Sequence, residues 1–246
     1  VDISGNASIV VPAMAAPRVP SCESSWAARV RSAADEAASR IDALLAGGSG
    51  RSMLDLARAV AAATVGPLVL GASNPVRAFD LAVPTLEGRV VHSNRGQAGI
   101  DGTIATAVGI CLGSGYAGEA SAPSAERVTA VRGDLTACHD ASSLARVAST
   151  GAHLDIVVAD DGGGGIFATL EHGRATSPAA YDRWFGLAQA VDDAALAAAY
   201  GVAFARAGEP RELEDLLDRP VRGPRLIHAP VERAEDLYRA IRDVLS

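Results

Sequence analysis

Two acidic turns, Gly133-Asp134 and Asp160-Asp161-Gly162, constrain this chain more than any other feature. Each follows a short apolar run, Val128-Thr129-Ala130-Val131 and Leu154-Asp155-Ile156-Val157-Val158. Such β-branched runs read as buried parallel strands. The stretch Val131 to Phe167 therefore reads as strand, Gly-Asp turn, one helix over the residues before Gly151, strand, and Asp-Asp-Gly turn. The twenty-seven positions between Asp134 and Asp161 (134 to 161) suit one βαβ crossover. Both turns then lie at the carboxyl ends of neighbouring strands, where open α/β sheets bind ligands.

Carboxylates held side by side repel, and a cation between them resolves the repulsion. Mg²⁺ suits such a site, because it takes one or two carboxylates and keeps other positions for phosphate oxygens and water. Asp134, Asp161 and the backbone carbonyl of Gly163 form the candidate metal set. An aspartate in a βα turn is equally at home as a helix N-cap, and spacing alone leaves both readings open.

The Gly133-Asp134 turn, followed at that distance by an acidic turn running into glycine, resembles the thiamine-diphosphate motif. The run Ser93-Asn94-Arg95-Gly96-Gln97-Ala98-Gly99-Ile100-Asp101-Gly102 narrows the resemblance, with Ser73-Asn74-Pro75-Val76-Arg77 and Gly164-Gly165-Ile166-Phe167. Together they are similar to the 2-succinyl-5-enolpyruvyl-6-hydroxy-3-cyclohexene-1-carboxylate synthase family of menaquinone synthesis, best between Ser73 and Leu170.

The resemblance implies a thiamine-diphosphate-binding fold: an α/β, doubly wound, six-stranded and mainly parallel sheet flanked by helices. It implies thiamine diphosphate with Mg²⁺ or Mn²⁺ as cofactors, and 2-oxoglutarate and isochorismate as substrates. Cofactor contacts would come from Gly133, Asp134, Leu135, Thr136, Ile100, Asp161, Gly163 and Ile166. Substrate contacts would come from Ser73, Arg77, Arg95, Ile166, Phe167 and Leu170. Ile100 would bend the coenzyme, and the arginines would clamp carboxylates through paired donors. Taken singly, Ile100, Ile166, Phe167 and Leu170 also suit core packing, and either arginine a solvated surface. One departure is the Asp160-Asp161 pair, where the family's pattern ends Asn-Asn, which adds negative charge beside the metal set.

The family has three domains, and this chain opens Val1-Asp2-Ile3, as if cut at a strand end. We therefore expect residues 1–50 to be the tail of a central domain with a linker helix, and residues 51–246 to be the diphosphate-binding domain. No catalytic residue is expected here. The activating glutamate belongs to an amino-terminal pyrimidine-binding domain supplied by the neighbouring subunit of a homodimer or homotetramer. The same features leave room for another thiamine enzyme, of acetolactate synthase or 2-oxoacid decarboxylase type, and for a noncatalytic α/β binding module.

Composition removes other classes. The net charge of −7 and the lack of a basic cluster argue against nucleic acid. All 22 basic residues are arginine, so Schiff-base chemistry and a Walker A lysine are excluded. Cys22, Cys111 and Cys138 are too widely spaced for a zinc site or a disulfide framework, which points to a cytoplasmic protein. No apolar run reaches membrane length. Gly113-Ser114-Gly115-Tyr116-Ala117-Gly118 matches a dinucleotide fingerprint in letters only, because it follows a helix and precedes a loop.

Along the chain, residues 1–21 read as an extended linker, and helices are expected over 23–46 and 52–64. Strands at 67–70, 89–92, 127–132, 154–158, 202–206 and 225–228 then alternate with helices, including 101–112, 192–200, 209–217 and 231–245. Residues 172–190 read as irregular, with short helical pieces near Tyr181 and Trp184.

Overall fold

The computed structural model describes residues 25–94, 99–113 and 127–245, except for the side chains at positions 172, 174 and 245. The expected linker over 1–21, the Arg95 site and most of the Gly113–Gly118 run lie outside these residues. The chain divides into two compact units, residues 1–36 and 37–246. Helix α1, Ser25–Ala46, begins in the first, and every residue of the candidate site belongs to the second.

The second unit continues with α2 (Met53–Ala63), β1 (Leu68–Leu70), α3 (Asn74–Ala82), β2 (Val91–Ser93) and α4 (Thr103–Gly113). Next come β3 (Val128–Gly133), α5 (Asp134–His139), α6 (Leu144–Thr150) and β4 (Leu154–Asp160). The chain closes with α7 (Glu171–Ala175), α8 (Pro178–Tyr181), α9 (Asp193–Tyr200), β5 (Ala203–Arg206), α10 (Pro210–Asp218), β6 (Arg225–Pro230) and α11 (Glu235–Leu245). The six strands form one parallel sheet in the order β2-β1-β3-β4-β6-β5. This is the doubly wound α/β architecture that the alternation predicts.

Alternate strand residues feed two cores. Leu68, Leu70, Val131, Val157 and Ile227 pack with Leu54, Val60, Phe79, Leu213 and Ile241 from α2, α3, α10 and α11. Val69, Val128, Ala130, Ile156, Val158 and Leu226 pack with Ile104, Val108, Leu144, Val147 and Ala197 from α4, α6 and α9. Each fully buried Leu, Ile or Val contributes about 1.5–3 kcal/mol, so the central strands are the most strongly held part of the fold. Among the described residues, no helix is long and apolar enough to cross a membrane.

Two expectations need correction. The single helix expected after Asp134 is interrupted, with a 3₁₀ turn at Ala141–Ser143 separating α5 from α6. The cause is Asp140, whose Oδ2 accepts the Ile104 amide at 2.5 Å and whose Oδ1 accepts the Ser143 hydroxyl at 2.5 Å. An aspartate that caps the start of α4 is not free to continue its own helix. The last helix begins at Glu235 rather than Val231. The Val231 amide donates to Asp160 O at 2.8 Å, and the Glu232 amide to Arg51 O at 2.9 Å. These bonds hold residues 231–234 as a strap across the carboxyl end of β4.

Candidate functional site

Strand order reverses between β1 and β3: the chain leaves β1 for β2 on one side and returns to β3 on the other. A crevice opens at the carboxyl ends of strands at such a point. The structure has a cavity of about 110 Å³ there. Ser73, Asn74 and Pro75 reach it from the turn after β1, Gly133 to Thr136 from the turn after β3, and Asp161 and Gly163 to Phe167 from the turn after β4. Ile100 also lines it. Of the expected site residues, ten therefore share one cavity: Ser73, Ile100, Gly133, Asp134, Leu135, Thr136, Asp161, Gly163, Ile166 and Phe167.

Two expected residues stand apart from that lining. Leu170 is 43% exposed and follows the 3₁₀ turn Gly165–Thr169 in an extended conformation, so it does not share a face with Ile166 and Phe167. Arg77 is exposed and turns back to donate from Nη1 to Ser73 O at 2.7 Å. The residue whose carbonyl it takes up, Ser73, has φ 75°, a backbone region costly for any residue but glycine. The strained residue is therefore part of the cavity wall, and Arg77 braces it from behind.

Sheet register sets the electrostatics. Gly133 is paired with Ala159, so the next residues, Asp134 and Asp160, are level with each other. The Asp134 carboxyl feels the charges of both Asp160 and Asp161. Burial is the largest effect and, with these two carboxylates, pushes the Asp134 carboxyl up to about 7, against the pull of the Leu135 amide. Burial likewise raises Asp161, opposed by a hydrogen bond from Asn74 and by the charge of Arg233. Asn74 Nδ2 donates to Asp161 Oδ2 at 3.2 Å.

The glycine turn is shaped by neighbours that leave no room for side chains. Gly163 has φ 121°, and a Cβ there would collide with the carbonyl of Gly186. A Cβ on Gly164 would collide with the carbonyl of Phe185. Residues 182–186 form a π-helical turn over this loop, and the Gly164 amide donates to Gly186 O at 2.5 Å. The Tyr181 hydroxyl donates to Gly164 O at 2.9 Å.

Among the described residues, no three His, Cys, Asp or Glu side chains form a metal-holding group. The donors facing the cavity are instead two carboxylates, Asp134 and Asp161, with Asp160 beside the first and the Gly163 backbone beside the second. That all-oxygen set fits Mg²⁺, which completes its octahedron with phosphate and water, and does not fit zinc. Repulsion among the three carboxylates is the observation that favours a cation here.

This crowding makes a pH prediction. A carboxyl raised above its ordinary value binds its proton more tightly in the folded chain. Its contribution to stability is full below about pH 4 and is lost as pH rises towards about 7. Without metal, Asp134→Asn should therefore melt higher than the unsubstituted chain at pH 8, and the gap should close at pH 4. Thermal melts at the two pH values check this. Added Mg²⁺ should raise the unsubstituted chain at pH 8 and leave the variant behind.

Sequence reasoning did not assign Met53, Asn74, Pro75, Gly164 or Gly165, all of which line the cavity. Asn74 and Pro75 lie inside a quoted motif, so a signal was present. Met53, the first residue of α2, had no local signal, because only packing brings it to the crevice.

The family described as "Thiamine pyrophosphate enzyme, C-terminal TPP binding domain" matches residues 77–229. A 2-succinyl-5-enolpyruvyl-6-hydroxy-3-cyclohexene-1-carboxylate synthase of Nocardioides sp. strain JS614 is 41% identical over 230 residues, covering 89% of this chain and 41% of the relative. A synthase of the same name from Mycobacterium sp. strain KMS is 39% identical over 238 residues, covering 95% of this chain and 42% of the relative. The chain thus spans about two fifths of the length of these curated relatives. Among solved structures, a thiamine diphosphate-dependent 4-hydroxybenzoylformate decarboxylase of Rhodococcus jostii RHA1 superposes with a TM-score of 0.61 at 17% identity. That match covers 76% of this chain and 34% of the other. A benzoylformate decarboxylase of Polynucleobacter necessarius gives 0.58 at 18% identity, over 73% of this chain and 33% of the other. These two establish likeness of fold. With the family match spanning well over half of its length, the chain belongs to the thiamine pyrophosphate enzymes and carries their C-terminal TPP-binding domain.

Proposed function

We propose that this chain is the diphosphate-binding part of a synthase that decarboxylates 2-oxoglutarate and adds the succinyl unit to isochorismate. The relatives' names and the motifs around Ser73, Ser93 and Gly164 support this reading. The observation that carries it is the meeting of Asp134, Asp161, Gly163 and Ile100 at one cavity at the strand-order reversal. When bound, thiamine diphosphate supplies the reactive carbon and the electron sink for decarboxylation.

The chain's own residues have simpler tasks. Asp134, Asp161 and the Gly163 carbonyl hold Mg²⁺ or Mn²⁺, and the backbone of Gly133 to Thr136 faces the diphosphate. Ile100, on the cavity wall, would support the coenzyme. Ile166 and Phe167 exclude water from the substrate side. Ser73 and Arg95 orient carboxylates, with Arg77 bracing Ser73.

The cavity is small beside the ~300–1,000 Å³ of sites that enclose a whole small molecule. It is one wall of a site, and a pyrimidine-binding domain from a neighbouring subunit would form the other. We place the assembled protein, a homodimer or homotetramer, in the cytoplasm, and expect this chain alone to be inactive.

Calorimetry with thiamine diphosphate and Mg²⁺, with and without an added amino-terminal half, tests the proposal. Tight binding and turnover are expected only in the combined sample, with 2-oxoglutarate and not with pyruvate. A preference for pyruvate would move the chain to another thiamine enzyme, and absence of binding in both samples would reduce it to a noncatalytic module.

A further inference from the structure

The turn from Asp160 to Gly165 must present particular backbone atoms to the cavity, and glycines alone cannot hold such a shape. The structure shows what restrains it. Arg233, on the strap before α11, donates from Nε to Asp161 O at 2.9 Å and from Nη2 to Gly162 O at 2.5 Å. Its third nitrogen, Nη1, lies 4.0 Å from Asp182 Oδ1, at the start of the π-helical turn that covers the loop. On the inner side, Asp160 Oδ1 accepts the Gly162 amide at 2.9 Å. Tyr181 occupies the Gly164 carbonyl.

Taken in order, the carbonyls of residues 161, 162 and 164 each have a side-chain donor. Among the described residues, the Gly163 carbonyl accepts no hydrogen bond. It is also the carbonyl that the functional reading gives to the metal.

We propose that Arg233 is a positioning residue: its guanidinium engages two successive carbonyls and so holds the Asp161–Gly165 turn with the Gly163 carbonyl free for a divalent cation. This inference rests on the functional reading above. Arginine suits the task because its planar fork offers parallel donors at fixed spacing, whereas a lysine ammonium acts at one point. The strap that carries it is fixed independently, through the Val231 and Glu232 amides, so the guanidinium is delivered from a rigid support.

The test uses Arg233→Met and Arg233→Lys in this 246-residue chain. Amide hydrogen exchange is followed without metal, and the Mn²⁺ dissociation constant is measured by electron paramagnetic resonance with thiamine diphosphate and the amino-terminal half present. In Arg233→Met, exchange at Gly162 to Gly165 should quicken and Mn²⁺ binding weaken by about tenfold each, the worth of one charge-assisted hydrogen bond. Exchange in β3 and β4 should stay unchanged, which a general loss of stability would not allow. Arg233→Lys should restore less than half of the lost affinity. An unchanged Mn²⁺ constant in Arg233→Met, exchange that rises equally across the sheet, or full restoration by lysine overturns the inference. If the unsubstituted chain binds no Mn²⁺ even with thiamine diphosphate and the amino-terminal half present, the functional reading itself fails and takes this inference with it, a result visible before any variant is made.

Discussion

Asp155→Ala should destabilise the chain by about 3–5 kcal/mol, the usual cost of removing one partner from a buried ion pair. Asp155 is held between two arginines near the amino ends of the central strands. Its Oδ2 accepts Arg127 Nε at 2.9 Å, and its Oδ1 accepts Arg127 Nη2 at 3.0 Å and Arg225 Nε at 2.9 Å. The side chains are between 2% and 6% exposed, so water cannot replace the lost carboxylate. Parallel register places Asp155 beside Arg225 across β4 and β6. Arg127 has further acceptors in Val221 O and Gly223 O, so the greater cost falls on Arg225. A fall of roughly 2–4 °C in melting temperature for each kcal/mol is expected for a chain of this size. Urea unfolding of the variant measures the loss directly. Because this cluster lies at the end of the sheet opposite the cavity, metal binding by the surviving folded fraction should not change. A variant as stable as its parent would mean that the two guanidinium groups find other acceptors.

Arg132→Met should do the reverse and stabilise the chain by about 1–4 kcal/mol, as replacement of buried ionic groups by apolar ones of similar volume often does. Arg132 is fully buried on β3, and none of its three side-chain nitrogens has a hydrogen-bond partner among the described residues. Burial pushes its guanidinium down to about 9, against the pull of Asp140 and Asp193, so it remains charged at neutral pH. An ion desolvated in this way and left without hydrogen bonds costs more than the two nearby carboxylates return. Methionine keeps much of the length and fits beside Ala130 and Val158 on the same face. A higher urea midpoint with an unchanged slope is the expected reading. A loss of stability would show that the buried charge is compensated after all.

Both arginines show where reading by pattern stops. Arg127 and Arg132 flank the same apolar run, and nothing local distinguishes the one with a carboxylate partner from the one without. The partner, Asp155, comes from a strand 28 residues further on, and only the register of β3 against β4 brings it within reach. The division of α5 from α6 was hidden for the same reason: Asp140 is committed to the start of α4, 36 residues earlier. Leu170 has helical spacing from Ile166 and Phe167, yet the 3₁₀ turn ends before it and rotates it out of the lining. By contrast, the strand and helix alternation was legible. The runs of Val, Ile and Leu are short, and turn-forming glycine, proline, asparagine or aspartate stands near most of their ends, a signal that depends on neighbouring residues alone.

Local order along the chain determined the six parallel strands, the placing of Asp134 and Asp161 at strand ends, and the family. Hydrophobic period and turn chemistry are properties of neighbouring residues and need no partner from afar. Tertiary structure decided which carboxylates crowd together, because pairing Gly133 with Ala159 brings Asp160 level with Asp134. It also decided which carbonyl of the glycine turn stays open, because Arg233 and Tyr181 reach that turn from other elements. A side chain's partner across space depends on register and packing, and single-chain pattern carries no record of either.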